Sequence, residues 1–219
     1  FVSVNPEQDS LKFTAKQAFY TMKVRNIEVR GVPVIVVADA LITPADGNVT
    51  IYPDGFIKKI ENCTVEADMT SKQHKIYGAK VDIFSSKKYR GTGVYDYITV
   101  NGKPQFIKFD SIGVDQKRLI TMAQAEIKDD QNFYITEKVR FRGQAELDAS
   151  RKYLAFKGEV KIESDNEIFK ETWFSFDRLL FETGKSTLKP ESAEQVKNMA
   201  AILKAFPQVE IKLGGYTDN

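Results

Sequence analysis

From about residue 11 to residue 163 the chain reads as β structure throughout, with several runs that alternate apolar and polar side chains, and no stretch before residue 186 holds a sustained 3.6-residue apolar period. That alternation constrains the fold more than any other feature. A period of two places successive side chains on opposite faces of an extended strand, so that one face can be buried while the other stays wet. Tyr77-Gly78-Ala79-Lys80-Val81-Asp82-Ile83 and Gly93-Val94-Tyr95-Asp96-Tyr97-Ile98 read this way. Val24, Ile27, Val29 and the run Val34 to Val37 are β-branched and bounded by Gly31 and Pro33, and Val49 to Ile51 leads into the turn-forming Pro53-Asp54-Gly55. Further strands are expected at Phe106 to Phe109, Phe133 to Ile135, Val139 to Phe141, Tyr153 to Phe156 and Glu159 to Ile162. The expectation is a mainly β region over residues 1–163, solenoid- or sandwich-like.

An internal echo runs through it. Ser86-Lys87-Lys88-Tyr89 recurs as Ser150-Arg151-Lys152-Tyr153, each time after an alternating strand. Such spacing fits repeated units or the short rungs of a solenoid, and equally fits Lys-rich turns that resemble one another by chance. The region also faintly resembles repeat-containing stretches of large uncharacterised bacterial envelope proteins, a resemblance that carries no catalytic motif.

Bulk properties exclude several classes. Lys and Arg number 32 against 30 Asp and Glu, too even a balance for a phosphate-binding face, so no nucleic acid partner is expected. The apolar run Val32 to Leu41 is broken by Pro33 and Asp39 and falls short of the roughly 20 residues that span a bilayer as a helix. Cys63 is the one cysteine, which forbids an intrachain disulfide and is expected to be a small buried hydrophobe. His74, the one histidine, stands among Lys72, Gln73 and Lys75 with no nucleophile motif beside it, and is expected at the surface. A zinc site needs three or four ligands, which one His and one distant Cys do not supply.

Other patterns are weaker. Asp129-Asp130 reads as a solvated pair in a polar loop. Thr183-Gly184-Lys185-Ser186 ends like a phosphate-binding loop, but the earlier glycine of that motif falls on Leu179. Asn48-Val49-Thr50 and Asn62-Cys63-Thr64 are short glycosylation triplets of high chance frequency. Tyr95 and Tyr97 are expected to pack within the strands, with stacking on a ligand as the alternative. No constellation of acid, base and nucleophile is visible, so neither an enzyme nor a cofactor is expected.

The character changes after residue 163. Residues 164–172 form a polar, acidic stretch expected to be a linker, and Trp173-Phe174-Ser175-Phe176-Asp177 follows. Pro190 suits a first helical turn, and Glu191 and Glu194 favour the positive end of a helix dipole. Ala193, Val196, Ala200, Leu203, Ala205 and Phe206 then share one face until Pro207 ends the helix. Val209, Ile211 and Leu213 alternate as a strand. Residues 173–219 thus read as strand, helix, strand.

Three separated elements of this tail resemble the first half of an OmpA-like domain (OmpA C-terminal, Pal and MotB-type). They are Phe181-Glu182-Thr183-Gly184-Lys185-Ser186-Thr187-Leu188-Lys189-Pro190, the amphipathic helix, and a strand ending in Gly215-Tyr216-Thr217-Asp218-Asn219. The resemblance covers about a fifth of the chain. It implies a partial α+β domain that binds peptidoglycan without chemistry, chiefly the diaminopimelate of the stem peptide. Asp218 corresponds to the family's acidic residue, which receives the cationic end of that amino acid, and Thr217 and Asn219 would flank the ligand. A carboxylate suits the task, since a hydrogen bond assisted by charge is about twice as strong as a neutral one. The family continues with a segment ending in L-S-x-x-R-A, whose Arg grips the ligand's carboxylate. The sequence stops at Asn219, so the resemblance implies an incomplete site on these residues alone. It further implies the periplasm or outer membrane of a Gram-negative bacterium, with membrane association through parts outside this sequence.

Overall fold

The computed structural model describes residues 1–68, 73–99, 104–136, 138–163 and 173–176, together with Val196, Lys197, Ala200, Ala201 and Lys204, all five helical. In chain order the strands are β1 (Gln17–Thr21), β2 (Asn26–Arg30), β3 (Ile35–Val37), β4 (Ala40–Pro44) and β5 (Val49–Ile51). Next come β6 (Ile60–Ala67), β7 (His74–Ser85), β8 (Lys88–Ile98), β9 (Pro104–Asp115) and β10 (Ile120–Ile127). The series closes with β11 (Phe133–Thr136), β12 (Val139–Asp148), β13 (Ala155–Ile162) and β14 (Trp173–Phe176). The protein is mainly β, as the alternation predicts, in open antiparallel sheets. No helix among the described residues is long and apolar enough to cross a membrane.

One large sheet has the order β14-β13-β12-β10-β9-β8-β7-β6-β4-β3, with β11 paired to β12. Sequence neighbours are mostly sheet neighbours, which lets tight turns join them. Ser85 pairs with Lys88, so two residues suffice to reverse the chain between β7 and β8. Along β7 the inward positions are His74, Ile76, Ala79, Val81 and Ile83. The step from Ile76 to Ala79 is three rather than two. Gly78 absorbs the extra residue at φ +51°, where the pairing with β8 also slips. This is a β-bulge: it turns the strand while keeping both halves facing the core.

The apolar face is covered by the sheet itself. Between β4 and β10 stand β6, β7, β8 and β9, yet Asp39, in the β3–β4 turn, accepts hydrogen bonds from the Thr121 backbone at 2.9 and 3.0 Å. The Ala38 amide donates to the Ser86 carbonyl at 2.8 Å, and His74 on β7 reaches the Arg151 carbonyl beyond β12. Twist and bulges therefore coil the sheet over its own inner face. Enclosed there are Ile35, Ile42, Val65, Ile76, Val81, Ile107, Phe109, Ile112, Phe141 and Leu147, each at most 1% exposed. Burial of each such side chain contributes about 1.5–3 kcal/mol.

The N-terminal segment closes one end. Leu11 and Phe13 are buried, Phe13 bridges to Ile35, and the Ser86 amide donates to the Gln8 carbonyl. A separate three-stranded sheet, β1-β2-β5, buries Val29, Val49 and Ile51 beside this core and leaves every residue of β1 exposed.

The two copies of the internal echo both fall at the turn ends of strands but in contrasting surroundings. Tyr89 is fully buried, whereas Tyr153 is 74% exposed. At the C-terminal side, β14 pairs antiparallel with β13, with Lys161 opposite Trp173 and Gly158 opposite Phe176. The expected linker, residues 164–172, and the motif residues from 177 onward lie outside the described residues, apart from the five helical positions, all of which fall within the expected helix.

Candidate binding surfaces

Most polar groups inside the coil are matched to partners, which marks them as structural; Gln8 Nε2 and Arg140 Nε are the buried exceptions among the described residues. Thr121 Oγ1 donates to the Asp39 carboxylate at 2.6 Å, because an ionised carboxylate only accepts. The Tyr89 hydroxyl, 2.7 Å away, must then be the donor to Thr121. The chain Tyr89 to Thr121 to Asp39 thus has a single direction. Burial drives the Tyr89 phenol well above its ordinary value of 10.0, keeping it protonated as that role requires.

His74 corrects the expectation from its polar neighbours: it is 1% exposed. Nε2 lies 2.6 Å from the Arg151 carbonyl, which can only accept, so Nε2 carries the proton. In the neutral ring Nδ1 then accepts from the Tyr95 hydroxyl at 3.2 Å. The histidine ties the start of β7 to the loop after β12, with both ring nitrogens engaged. Tyr95 and Tyr97 are half-buried and pack inward, Tyr95 against Phe109 and Tyr97 against Phe133 and Phe156. They belong to the core, in agreement with the packing reading. Cys63 is buried as expected, and burial pushes its thiol up to about 12, leaving almost no thiolate at neutral pH. Asp129 pairs with Arg140 at 2.7 Å. No cluster of potential metal ligands exists among the described residues.

The outward face of β9, β10 and β12 holds a feature the sequence reading missed. Gln124-Ala125-Glu126 on β10 and Gln144-Ala145-Glu146 on β12 are identical tripeptides, and antiparallel pairing sets Gln124 opposite Glu146, Ala125 opposite Ala145 and Glu126 opposite Gln144. The alanines point inward and are buried, while the amides and carboxylates point outward, related by a local twofold. Ser111, opposite Gln124, and Asp110 extend the group from β9. Together they line a shallow depression of about 230 Å³. Among the described residues, none of the carboxylates of Asp110, Glu126 and Glu146 is in an ion pair. The surface can accept hydrogen bonds from hydroxyls or amines and favours a cationic or neutral polar ligand. The repeated Gln-Ala-Glu was the available signal. Its meaning depends on two strands being paired in one register, which no local pattern announces.

A third cluster secures the sheet edge. The Trp173 ring on β14 lies 4.2 Å from the Arg142 guanidinium carbon and 5.9 Å from that of Arg140. Arg142 Nε in turn donates to Glu159 on β13 at 2.6 Å. The ion pair to Glu159 fixes the guanidinium that the indole contacts, so three strands share one cluster.

Thr217, Asp218 and Asn219, the residues expected to bind peptidoglycan, lie outside the described residues. No protein-family model, curated protein or solved structure matches the chain.

Proposed function

We propose that this chain is part of a non-enzymatic cell-envelope protein held to peptidoglycan by an OmpA-like segment, with the coiled sheet as the body it anchors. The observation that carries the reading is the agreement of three separated sequence patterns in residues 173–219: the Phe181 to Pro190 motif, the apolar period expected to form a helix, and the alternating run that ends in Thr217-Asp218-Asn219. Asp218 supplies the carboxylate for the ammonium of diaminopimelate, and Thr217 and Asn219 flank it with hydroxyl and amide groups. The proposed location is the periplasm or outer membrane of a Gram-negative bacterium. The test is co-sedimentation of the gene product, extended past Asn219, with purified cell-wall sacculi. Wild type should pellet with the sacculi and Asp218→Ala should remain in the supernatant; equal pelleting would remove Asp218 from the site.

A second reading has its own support. The paired Gln-Ala-Glu segments and their unpaired carboxylates suit a β-rich binding or adhesion module for a glycan or protein partner, with the C-terminal segment serving only as a tether. Glu126→Gln with Glu146→Gln separates the two. Loss of partner or glycan binding with wall retention intact favours the adhesion role for the sheet.

A further inference from the structure

The β1–β2 hairpin combines exposed apolar residues with a local excess of cations. Tyr20 and Met22 are 60% and 84% exposed, and Val24 is 54% exposed. Ala18 and Tyr20 stand opposite Val29 and Ile27, on the side of the sheet that faces the core, yet they are exposed, with nothing among the described residues covering them. Met22 and Val24 lie in the turn at the far end. Residues 16–30 carry Lys16, Lys23, Arg25 and Arg30 against Glu28 alone, a net charge of +3 in a chain whose total is +2. Glu28 is 3.8 Å from Arg30 at the base of the hairpin, so among the described residues the tip cations Lys23 and Arg25 have no carboxylate partner. Arg25 adopts φ +55°, a conformation that glycine or asparagine would take with less strain. The tip therefore keeps a cation where the backbone favours a smaller residue.

We propose that this hairpin is a docking tip for an anionic lipid bilayer. Met22 and Val24 enter the boundary between headgroups and acyl chains, Tyr20 lies at headgroup depth, and Lys23 and Arg25 pair with lipid phosphates. Alternating cation and apolar residue suits this depth, since Lys and Arg bury their stems and keep their charges in the wet layer. Other occupants fit less well. Two copies of the hairpin would bring +3 against +3. An added acidic strand would leave the apolar residues of the turn unused, and Phe19 on the outer face already has a cation–π partner in Arg30 at 4.9 Å. The inference is independent of wall binding and adds a lipid contact on a different part of the molecule.

Flotation of the chain with vesicles tests it. Vesicles of phosphatidylcholine alone are compared with vesicles of phosphatidylcholine and phosphatidylglycerol in equal parts. Wild type should float with the anionic vesicles and stay behind with the neutral ones. Met22→Glu with Val24→Glu should abolish flotation, and Lys23→Gln with Arg25→Gln should weaken it roughly thirtyfold, at about fivefold per cation. All four positions are exposed, so the variants should melt like wild type, and Val4→Glu, at a 97% exposed site elsewhere, should float normally. Absence of anionic preference in wild type overturns the proposal, as does undiminished flotation of the Met22→Glu, Val24→Glu protein. Capture by soluble polyglutamate without any vesicle binding, or a wild-type dimer that the tip variant disperses, would likewise reassign the hairpin to a protein partner.

Discussion

At the scale of single residues, the buried polar groups act as ties between strands distant in the sheet. His74 joins β7 to the loop after β12 through both ring nitrogens, and Asp39 joins the β3–β4 turn to β10. His74→Ala should therefore destabilise by about 3 kcal/mol, from a cavity plus a buried carbonyl and hydroxyl left without partners. Urea unfolding followed by circular dichroism measures this; a loss below about 1 kcal/mol would mean the tie is dispensable. The misplacement of His74 at the surface came from weighing its neighbours Lys72, Gln73 and Lys75 above strand phase. Two residues back from buried Ile76, in a strand of period two, the same face falls on His74. The phase was present in the sequence; the partner carbonyl 77 residues away was not.

Asp148 shows the electrostatic side of the same scale. Burial raises its pKa, but hydrogen bonds from Ser150 and Arg118 prevail and hold the carboxyl below its ordinary value of 3.8. A depressed carboxyl contributes stability that is fully present above the unfolded value and lost as pH falls through the folded one. Melting temperature should thus fall below about pH 4 in wild type. Asp148→Asn should cost about 1 kcal/mol at pH 7, the Arg118 partner being 43% exposed, and the two proteins should converge in acid. Parallel melting curves across the pH range would contradict this.

At the scale of elements, strand existence was largely legible and strand pairing was not. Alternation marked β7, β8, β12 and β13, because each has one wet and one dry face. It did not disclose the bulge at Gly78, or that β14 lies beside β13, since pairing across residues 164–172 leaves no local trace. The β12–β13 pair is unusually close. Gly143 takes φ +138° opposite Gly158, and a Cβ at Gly158 would sit 2.2 Å from the Arg142 carbonyl oxygen and 2.8 Å from Gly143 Cα. Backbone cannot yield as a flexible side chain can, so Gly158→Ala should destabilise by more than about 2 kcal/mol. Gly113→Ala is the control, because its Cβ meets only the Tyr89 carbonyl at an ordinary 3.6 Å. Emission from Trp173, the one tryptophan, reports the β14 edge: its red shift should appear in the Gly158 variant at lower urea than in wild type. Equal midpoints for the two variants would show that the strands separate without cost.

At the scale of the whole molecule, an open sheet, bounded among the described residues by β3 and β14, hides its apolar face by coiling on itself. The outer surface is left to polar groups such as the paired Gln-Ala-Glu segments and to the basic hairpin. The mainly β class was visible in the chain's periodicity. The closure was not, because it depends on long-range contacts such as Ala38 to Ser86 and Asp39 to Thr121. The segment resembling an OmpA-like motif stood out for the opposite reason: its residue types recur at fixed offsets and need no tertiary context to be read. Binding of the diaminopimelate stem peptide through Asp218 is the claim on which the functional account rests. Its most direct measurement is a calorimetric titration of the gene product, extended past Asn219, with the diaminopimelate-containing peptide and with the same peptide carrying lysine in its place. Saturable binding of the diaminopimelate peptide, at least tenfold weaker with lysine and lost in Asp218→Asn, is the predicted result. Equal affinity for the two peptides, or an Asp218→Asn protein that binds like wild type, would contradict it.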